Sequence, residues 1–180
     1  MERWQNFYIQ KSGQSETAKE SVTTWGIFCK SIPFVLFGEV KEPAKREYND
    51  EHGDDEYIGS GGLYLKSYTI EVEFGCKKMA HSTFGTVTDV QSKVATFLEY
   101  LRSAGLFKLY SSYTRIGRQD VRLDSISDNA KWVSNGEWKT VNNTRTFVVT
   151  EEYLVFKVKF KVNDPKTNIV YNNGSLVIAQ

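Results

Sequence analysis

The side chains that could support covalent or metal chemistry are few and scattered. The chain has two cysteines, Cys29 and Cys76, and two histidines, His52 and His81. No HExxH or other zinc-binding spacing includes the histidines. Both cysteines adjoin apolar or aromatic segments, where a buried structural thiol is the usual outcome. A Cys–His nucleophile pair stays a minor alternative, so the sequence predicts no catalytic residue and no enzyme.

A second candidate for chemistry is the segment 39–62, which is acidic and ends in Gly59-Ser60-Gly61-Gly62. Calcium prefers oxygen ligands, but the alternating ligand order and distal glutamate of an EF-hand are missing. The glycines precede a strand and lack the Gly-Lys-Ser/Thr of a phosphate loop. We therefore predict no metal and no cofactor. The carboxylates are Glu39, Glu42, Glu47, Asp50, Glu51, Asp54, Asp55 and Glu56.

Segment 39–62 is interpreted as an extended acidic loop. Long loops without secondary structure are uncommon in compact domains and are usually functional or disordered. This loop either becomes ordered on binding a partner or stays mobile. Its candidate contact residues for a partner are Glu47, Asp50, Glu51, Asp54, Asp55 and Glu56.

Bases and aromatic residues are mixed in the stretch 108–118, a combination that binds single-stranded nucleic acid in some proteins. The whole chain carries a net charge of only +1, so an amphipathic strand followed by a charged turn is the favoured interpretation. No apolar run approaches the roughly 20 residues that span a bilayer. The N-terminus lacks the basic and then apolar order of a signal peptide. We expect no membrane partner.

One long helix is predicted at about 89–104. Thr88 supplies a hydroxyl for the N-cap, and Gly105 offers a left-handed end. Apolar residues recur between these ends at helical spacing, which predicts a stripe buried against a sheet. The stripe consists of Val90, Val94, Phe97, Leu98 and Leu101.

Two segments alternate with a period of two, the pattern of strands with one face on a core and one on water. In the first, 64–74, the polar positions include Glu71 and Glu73. In the second, 153–162, they are Lys157, Lys159 and Lys161. One interpretation is that these charges line a solvent face or a lumen. The other is that they pair across strands, where each pair of opposite charges stabilises the sheet by about 0.2–1 kcal/mol.

Weaker patterns predict the remaining elements. They are a strand at 7–9, a mobile polar loop at 11–24, apolar segments at 25–28 and 32–37, strands at 106–110 and 119–127, a hairpin turn at 134–136, and a closing hairpin at 169–178. Together they predict one domain, 1–180, of mostly β α+β class, with antiparallel sheets, a sandwich or a barrel-like arrangement, and the helix packed on the sheet.

Taken in order, these features resemble the N-terminal domain of phage distal tail proteins, which share a fold with siphophage tail tube proteins. The resemblance lies in Trp25-Gly26-Ile27-Phe28, the loop from Glu42-Pro43 to Gly62, the strand Tyr68 to Phe74, the helix around Phe97-Leu98 and the strand Phe107 to Tyr110. It extends over roughly residues 5 to 163.

The resemblance implies a structural virion protein that forms a six-fold ring at the tail tip, with DNA passing through its lumen. The partners would be other copies of the chain, tube and baseplate proteins, and DNA in transit. The location would be the virion tail, after assembly in the host cytoplasm. Another phage assembly, such as the head–tail connector, or a bacterial surface complex is the alternative. No second, carbohydrate-binding-like domain fits the length, so we expect ring assembly rather than receptor binding.

Overall fold

A computed structural model describes residues 4–13, 15–47, 54–78, 87–142 and 144–179. Its body is a seven-stranded antiparallel sheet with a helix packed on one face, and two small hairpins are attached to it. This architecture confirms the predicted class, α+β and mostly β. The elements are β1 (Phe7–Lys11), β2 (Lys19–Glu20), α1 (Ser21–Trp25), β3 (Ile27–Cys29), β4 (Ala44–Glu47), β5 (Asp54–Tyr57), β6 (Tyr68–Lys78), α2 (Val87–Ala104), β7 (Phe107–Ser111), β8 (Gly117–Val141), β9 (Thr144–Val162), β10 (Ile169–Asn172) and β11 (Ser175–Ile178).

The strand order of the large sheet is β2-β1-β7-β8-β9-β6-β3. Each neighbouring pair is antiparallel, and β8 and β9 form the central hairpin. The edge strands β2 and β3 are only two and three residues long. Because β10–β11 and β4–β5 pair only within themselves, they form separate two-stranded sheets.

Helix α2 lies on the sheet through an aromatic core. The predicted stripe is buried at Val90, Val94, Phe97 and Leu101, while Leu98 is half-buried. Tyr100, which the stripe did not include, is also buried. Phe97 lies at the centre of this core. Its ring contacts those of Phe7, Trp25, Phe74 and Phe156 at centroid distances of 6.0, 5.3, 5.5 and 6.3 Å.

Only the C-terminal end of α2 follows the prediction. The helix begins at Val87, so Thr88 is a residue of its first turn rather than the N-cap. Gly105, with φ +65°, ends the helix in the left-handed region as expected. Asp89 in the first turn and Arg102 in the last complement the helix dipole.

The polar segment 11–24 is not simply a loop, because it includes β2 and most of α1. Gly26 adopts φ +67° and donates its N–H to the Val22 carbonyl at 2.8 Å, which ends α1. Trp25 therefore closes a helix, whereas the sequence predicted only an apolar segment at 25–28. A helix of one and a half turns is too short to reveal a 3.6-residue period.

Strand β8 runs through the position where a hairpin turn was predicted. The register shifts at Asn135 and Gly136, where Thr150 of β9 is the extra residue of a β-bulge, and the chain reverses between Val141 and Thr144. Asn142 takes φ +51° there, a conformation that asparagine tolerates. The prediction of a turn at 134–136 was wrong because the ladder with β9 continues through Asn135-Gly136 and overrides the local turn signal.

The other strands agree with the alternation in the sequence. The core-facing residues of β9 (Leu154, Phe156, Val158, Phe160 and Val162) are buried. Strand β6 begins at Tyr68, so Tyr64 lies outside it and is exposed. The closing hairpin β10–β11 forms as predicted, with Asn173 and Gly174 at positive φ. Segment 32–37 contains no strand.

Candidate assembly surfaces

The face of the sheet that points away from α2 carries the alternating charges. The register places Lys159 opposite Glu71, and Lys157 opposite Glu73. Lys161 faces Thr69 on one side and Arg122 on the other. The lysines of β9 therefore lie opposite the glutamates of β6, and these side chains also remain partly exposed. The pattern thus combines cross-strand pairing with a solvent-facing surface.

The ion pair between β6 and β9 on this face is diagonal to the register. Lys157 Nζ lies 4.0 Å from Glu71 Oε1. Lys30, just after β3, reaches Glu73 Oε1 at 2.7 Å. Asp128 of β8 stands opposite Lys157 from the other side. This face mixes charges of both signs, with Lys161 and Arg122 as like-charged neighbours, so it presents no single-sign field to a nucleic acid.

One end of the charged face is covered by the N-terminal segment. Trp4 lies directly over Gly75, where an added Cβ would be 2.8 Å from the indole Cη2. The Trp4 ring stacks on Tyr153 at a centroid distance of 6.0 Å, and Lys30 Nζ is 5.8 Å from it. Gly75 is thus required by the close approach of a tryptophan.

Segment 39–62, predicted as a loop, contains a β-hairpin. The Val40–Leu65 bridge begins a ladder in which the Lys41 N–H donates to the Tyr64 carbonyl, and the Lys66 N–H donates to the Glu39 carbonyl, both at 2.7 Å. Strands β4 and β5 continue it further out. We call residues 39–47 and 54–66 the acidic arm. The sequence did not predict these strands, because charged residues lie on both faces of the hairpin and hide the alternation of apolar and polar residues.

The predicted contact residues take different positions in the acidic arm. Asp55 lies opposite Arg46, and Glu56 lies opposite Lys45, so both carboxylates face bases of their own hairpin. Glu47 and Asp54 form the outermost described pair of this ladder. Asp50 and Glu51, like both histidines, lie outside the described residues.

A groove of about 470 Å³ runs along the acidic arm. Its apolar lining is Pro43, Ala44, Tyr57, Ile58, Leu63 and Tyr64. Tyr57 and Tyr64 are 78% and 66% exposed, and Glu42 stands at the same groove. This apolar groove was not predicted from the sequence, because carboxylates dominate the segment; the signal was the tyrosine at each side of the glycines.

A second arm is formed by the outer part of the β8–β9 hairpin, residues 128–152, which we call the long arm. None of its described side chains is buried. Near the turn, Trp138 pairs with Phe147 across the hairpin, and Gly136 pairs with Val149. Trp138, Phe147 and Val149 share one face, while Glu137 and Lys139 share the other. The long arm therefore ends in a ribbon with one apolar and one charged face.

The cysteines show no sign of nucleophile chemistry. Cys29 and Cys76 are fully buried. Burial raises the pKa of Cys29 to about 12, and burial raises the pKa of Cys76 to about 11 although Lys93 lowers it in part. Near neutral pH both thiols are protonated, whereas a nucleophile requires a thiolate.

Metal and membrane sites were sought in the part of the chain that the structure describes. Among those residues, no group of three or more His, Cys, Asp and Glu side chains could hold a metal ion. No helix formed by them is long and apolar enough to cross a membrane. The two arms and the charged face remain candidates for a functional surface among the described residues.

Comparison with known proteins gives a structural match. No protein-family model and no curated protein matches the sequence. The sheet, its helix and its hairpins form a fold that is also found in the adsorption apparatus of phages. The chain is similar to the Dit protein of phage SPP1, whose crystal structure is described as a paradigm of the hub adsorption apparatus in phages that infect Gram-positive bacteria.

The likeness to SPP1 Dit has a TM-score of 0.50 at 12% sequence identity. It covers 92% of this chain and 52% of the other, so the chain spans about half the length of this neighbour. At this identity the match shows a shared fold. It agrees, at the level of the fold, with the resemblance to phage tail proteins found in the sequence.

Proposed function

We propose that this chain is a structural protein of a phage tail, which assembles with copies of itself into a ring at the tail tip or in the tube. The observation that carries the proposal is the fold shared with SPP1 Dit over 92% of the chain. Buried, protonated cysteines and two exposed arms also fit a protein that works by assembly. A function of this kind requires no catalytic residue.

In this proposal the ring is hexameric and DNA passes through its lumen. The alternating charges of β6 and β9 are the candidate lumen wall, because they form a wet face opposite the core. The candidate subunit contacts include the outer acidic arm, with Glu47, Asp50, Glu51, Asp54, Asp55 and Glu56. Other tail proteins would bind the two faces of the ring, and the protein would reside in the virion tail after assembly in the host cytoplasm.

The purified chain tests this proposal directly. We expect sedimentation velocity to reveal a concentration-dependent oligomer, and negative-stain electron microscopy to show closed rings of one symmetry. Combined Asp50→Lys, Asp54→Lys and Asp55→Lys substitutions should weaken the ring through like-charge contacts. A wild-type chain that stays monomeric at its highest soluble concentration, alone and with co-expressed tail proteins, contradicts the proposal.

A further inference from the structure

The tip of the long arm carries an aromatic face that its own chain does not cover. Trp138 and Phe147 meet edge to face at 5.4 Å, and Phe147 also covers Gly136 beside the bulge. Trp138 is 61% exposed and Val149 is 46% exposed. An isolated two-stranded ribbon is marginally stable in water, and an exposed apolar patch on it marks an interaction site.

The groove of the acidic arm has a matching apolar and aromatic lining. Its volume of about 470 Å³ admits an aromatic side chain, and its walls include the exposed rings of Tyr57 and Tyr64. Aromatic rings in offset or edge-to-face contact attract each other beyond the effect of the area that they bury. An aromatic ribbon therefore suits this groove better than a charged one.

Charge matches the two surfaces as well. Arg145 lies with its guanidinium 5.5 Å from the Trp138 ring, and among the described residues it has no carboxylate partner. The groove lining includes one carboxylate, Glu42, and one lysine, Lys41, and neither has a partner of opposite charge within the same part of the chain. One surface thus offers an aromatic face with a guanidinium, and the other an aromatic groove in which Glu42 is the carboxylate that a guanidinium can meet.

The two surfaces do not join within one chain, because Trp138 and Tyr57 both remain mostly exposed. They can join only between copies. A contact between two different patches of one chain is heterologous, and repeated contacts of this kind generate closed rings when the rotation closes.

We infer that the tip of the long arm of one copy docks into the groove of the acidic arm of a second copy, with Trp138 against Tyr57 and Tyr64, and Arg145 beside Glu42. This inference rests on the proposed self-assembly and specifies the surfaces that make the contact. It places the critical carboxylate at Glu42, whereas Asp55 and Glu56 face bases within their own hairpin.

Charge reversal tests the contact by sedimentation velocity. Arg145→Glu and Glu42→Arg should each raise the dissociation constant about tenfold or more, because each sets like charges together. An equimolar mixture of the two variants should assemble again, since the Glu at 145 of one chain meets the Arg at 42 of the other. Lys139→Glu is the matched control, because it makes the same charge change on the opposite face of the ribbon. We expect it to assemble like the wild type.

The outcomes separate this inference from the proposed function. Rings that form equally well with Arg145→Glu or Glu42→Arg overturn the inference and leave ring assembly standing. Single variants that fail and are not restored by mixing also overturn it. A wild-type chain that never self-associates overturns both. Thermal melts of each variant verify folding, and Trp138→Ser, which removes the ring without changing charge, should weaken assembly in the same assay.

Discussion

Phe97 is the side chain on which the aromatic core converges. It is fully buried on α2 and contacts rings from β1, α1, β6 and β9. Phe97→Ala should therefore lower the free energy of unfolding by about 3–5 kcal/mol through lost burial and the resulting cavity. Leu98→Ala, at a half-buried position, should cost less than Phe97→Ala. Denaturant titrations measure both.

The control for Phe97→Ala is Gln91→Ala, at an exposed position of the same helix. Its effect should stay within about 0.5 kcal/mol, as for most surface substitutions. Equal stabilities of the Phe97→Ala and Gln91→Ala variants would mean that the helix face is assigned wrongly.

Asp164 makes the stability depend on pH. Burial alone would raise the pKa of Asp164, but hydrogen bonds from Thr167, Gln119 and the Lys166 N–H outweigh burial and lower this pKa from 3.8 to about 2. A lowered folded-state pKa stabilises the protein above pH 4 and loses that contribution as the pH falls toward 2.

We expect Asp164→Asn to remove this pH dependence. Between pH 4 and pH 2 the wild type should lose about 1–2 kcal/mol more stability than the variant, measured by denaturant unfolding at each pH. Parallel stability curves for the two proteins would contradict the assignment of the lowered pKa to Asp164.

The burial of Cys29 and Cys76 predicts their reactivity. A thiol-alkylating reagent at neutral pH should modify neither residue in the native protein and both after unfolding, because protonated buried thiols react poorly. Ser60→Cys supplies a matched exposed thiol in the acidic arm and should react at once. Native-state labelling at either natural cysteine, detected by mass spectrometry, would contradict the burial.

At the scale of elements, the sequence predicted those whose pattern comes from burial. Strands β6 and β9 and helix α2 alternate or repeat because one face of each packs in the core, and this leaves a visible period. Their pairing could not be read from one sequence, since register depends on long-range contacts. The Glu71–Lys159 and Glu73–Lys157 pairs were one of two interpretations until the sheet placed them.

The elements that the sequence missed lie where burial leaves no period. None of the described side chains of the long arm is buried, so the turn signal of Asn135-Gly136 competed with that of Asn142 on equal terms. The groove was missed for a similar reason. Tyr57 and Tyr64 flank the glycines of one segment, and only the ladder of the acidic arm places that segment beside Lys41 and Ala44, which complete the groove.

The N-terminal segment and β6 are coupled through Gly75. Gly75→Ala in an ordinary strand would stabilise by about 0.5–1 kcal/mol, since glycine loses more entropy on folding. Here the new methyl would meet the Trp4 ring at 2.8 Å, so we expect a loss of about 1–3 kcal/mol instead.

A double-mutant cycle isolates this contact. In a Trp4→Ala background the Gly75→Ala substitution should lose its cost, because the ring that it clashes with is gone. Unfolding free energies of the four proteins measure the coupling. Additive effects would show that Trp4 does not lie over Gly75.

For the molecule as a whole, the long arm lies outside the folding core. Replacing residues 134–152 by Asn-Gly joins Val133 to Tyr153, which are partners in the ladder, through a two-residue turn. We expect the shortened protein to keep cooperative unfolding and nearly the wild-type melting temperature, because no described side chain between these positions is buried.

The shortened protein should nevertheless remain monomeric in sedimentation velocity, since it lacks the tip that docks. A shortened protein that still forms rings would exclude the long arm from the contact. One that fails to fold would show instead that the arm stabilises the sheet, which far-UV circular dichroism distinguishes from loss of assembly.

The strand order also sets a sequence of events during synthesis. Strand β1 pairs with β7, which lies about a hundred residues later in the chain, and β3 can pair only after β6 has been synthesised. The hairpin of β8 and β9, by contrast, closes between neighbours in sequence. Because non-local pairing requires costly loop closure, we expect this hairpin to nucleate the sheet and folding to be slow for a chain of this size. Residues 1–30 of this sequence would then be among the last to become ordered.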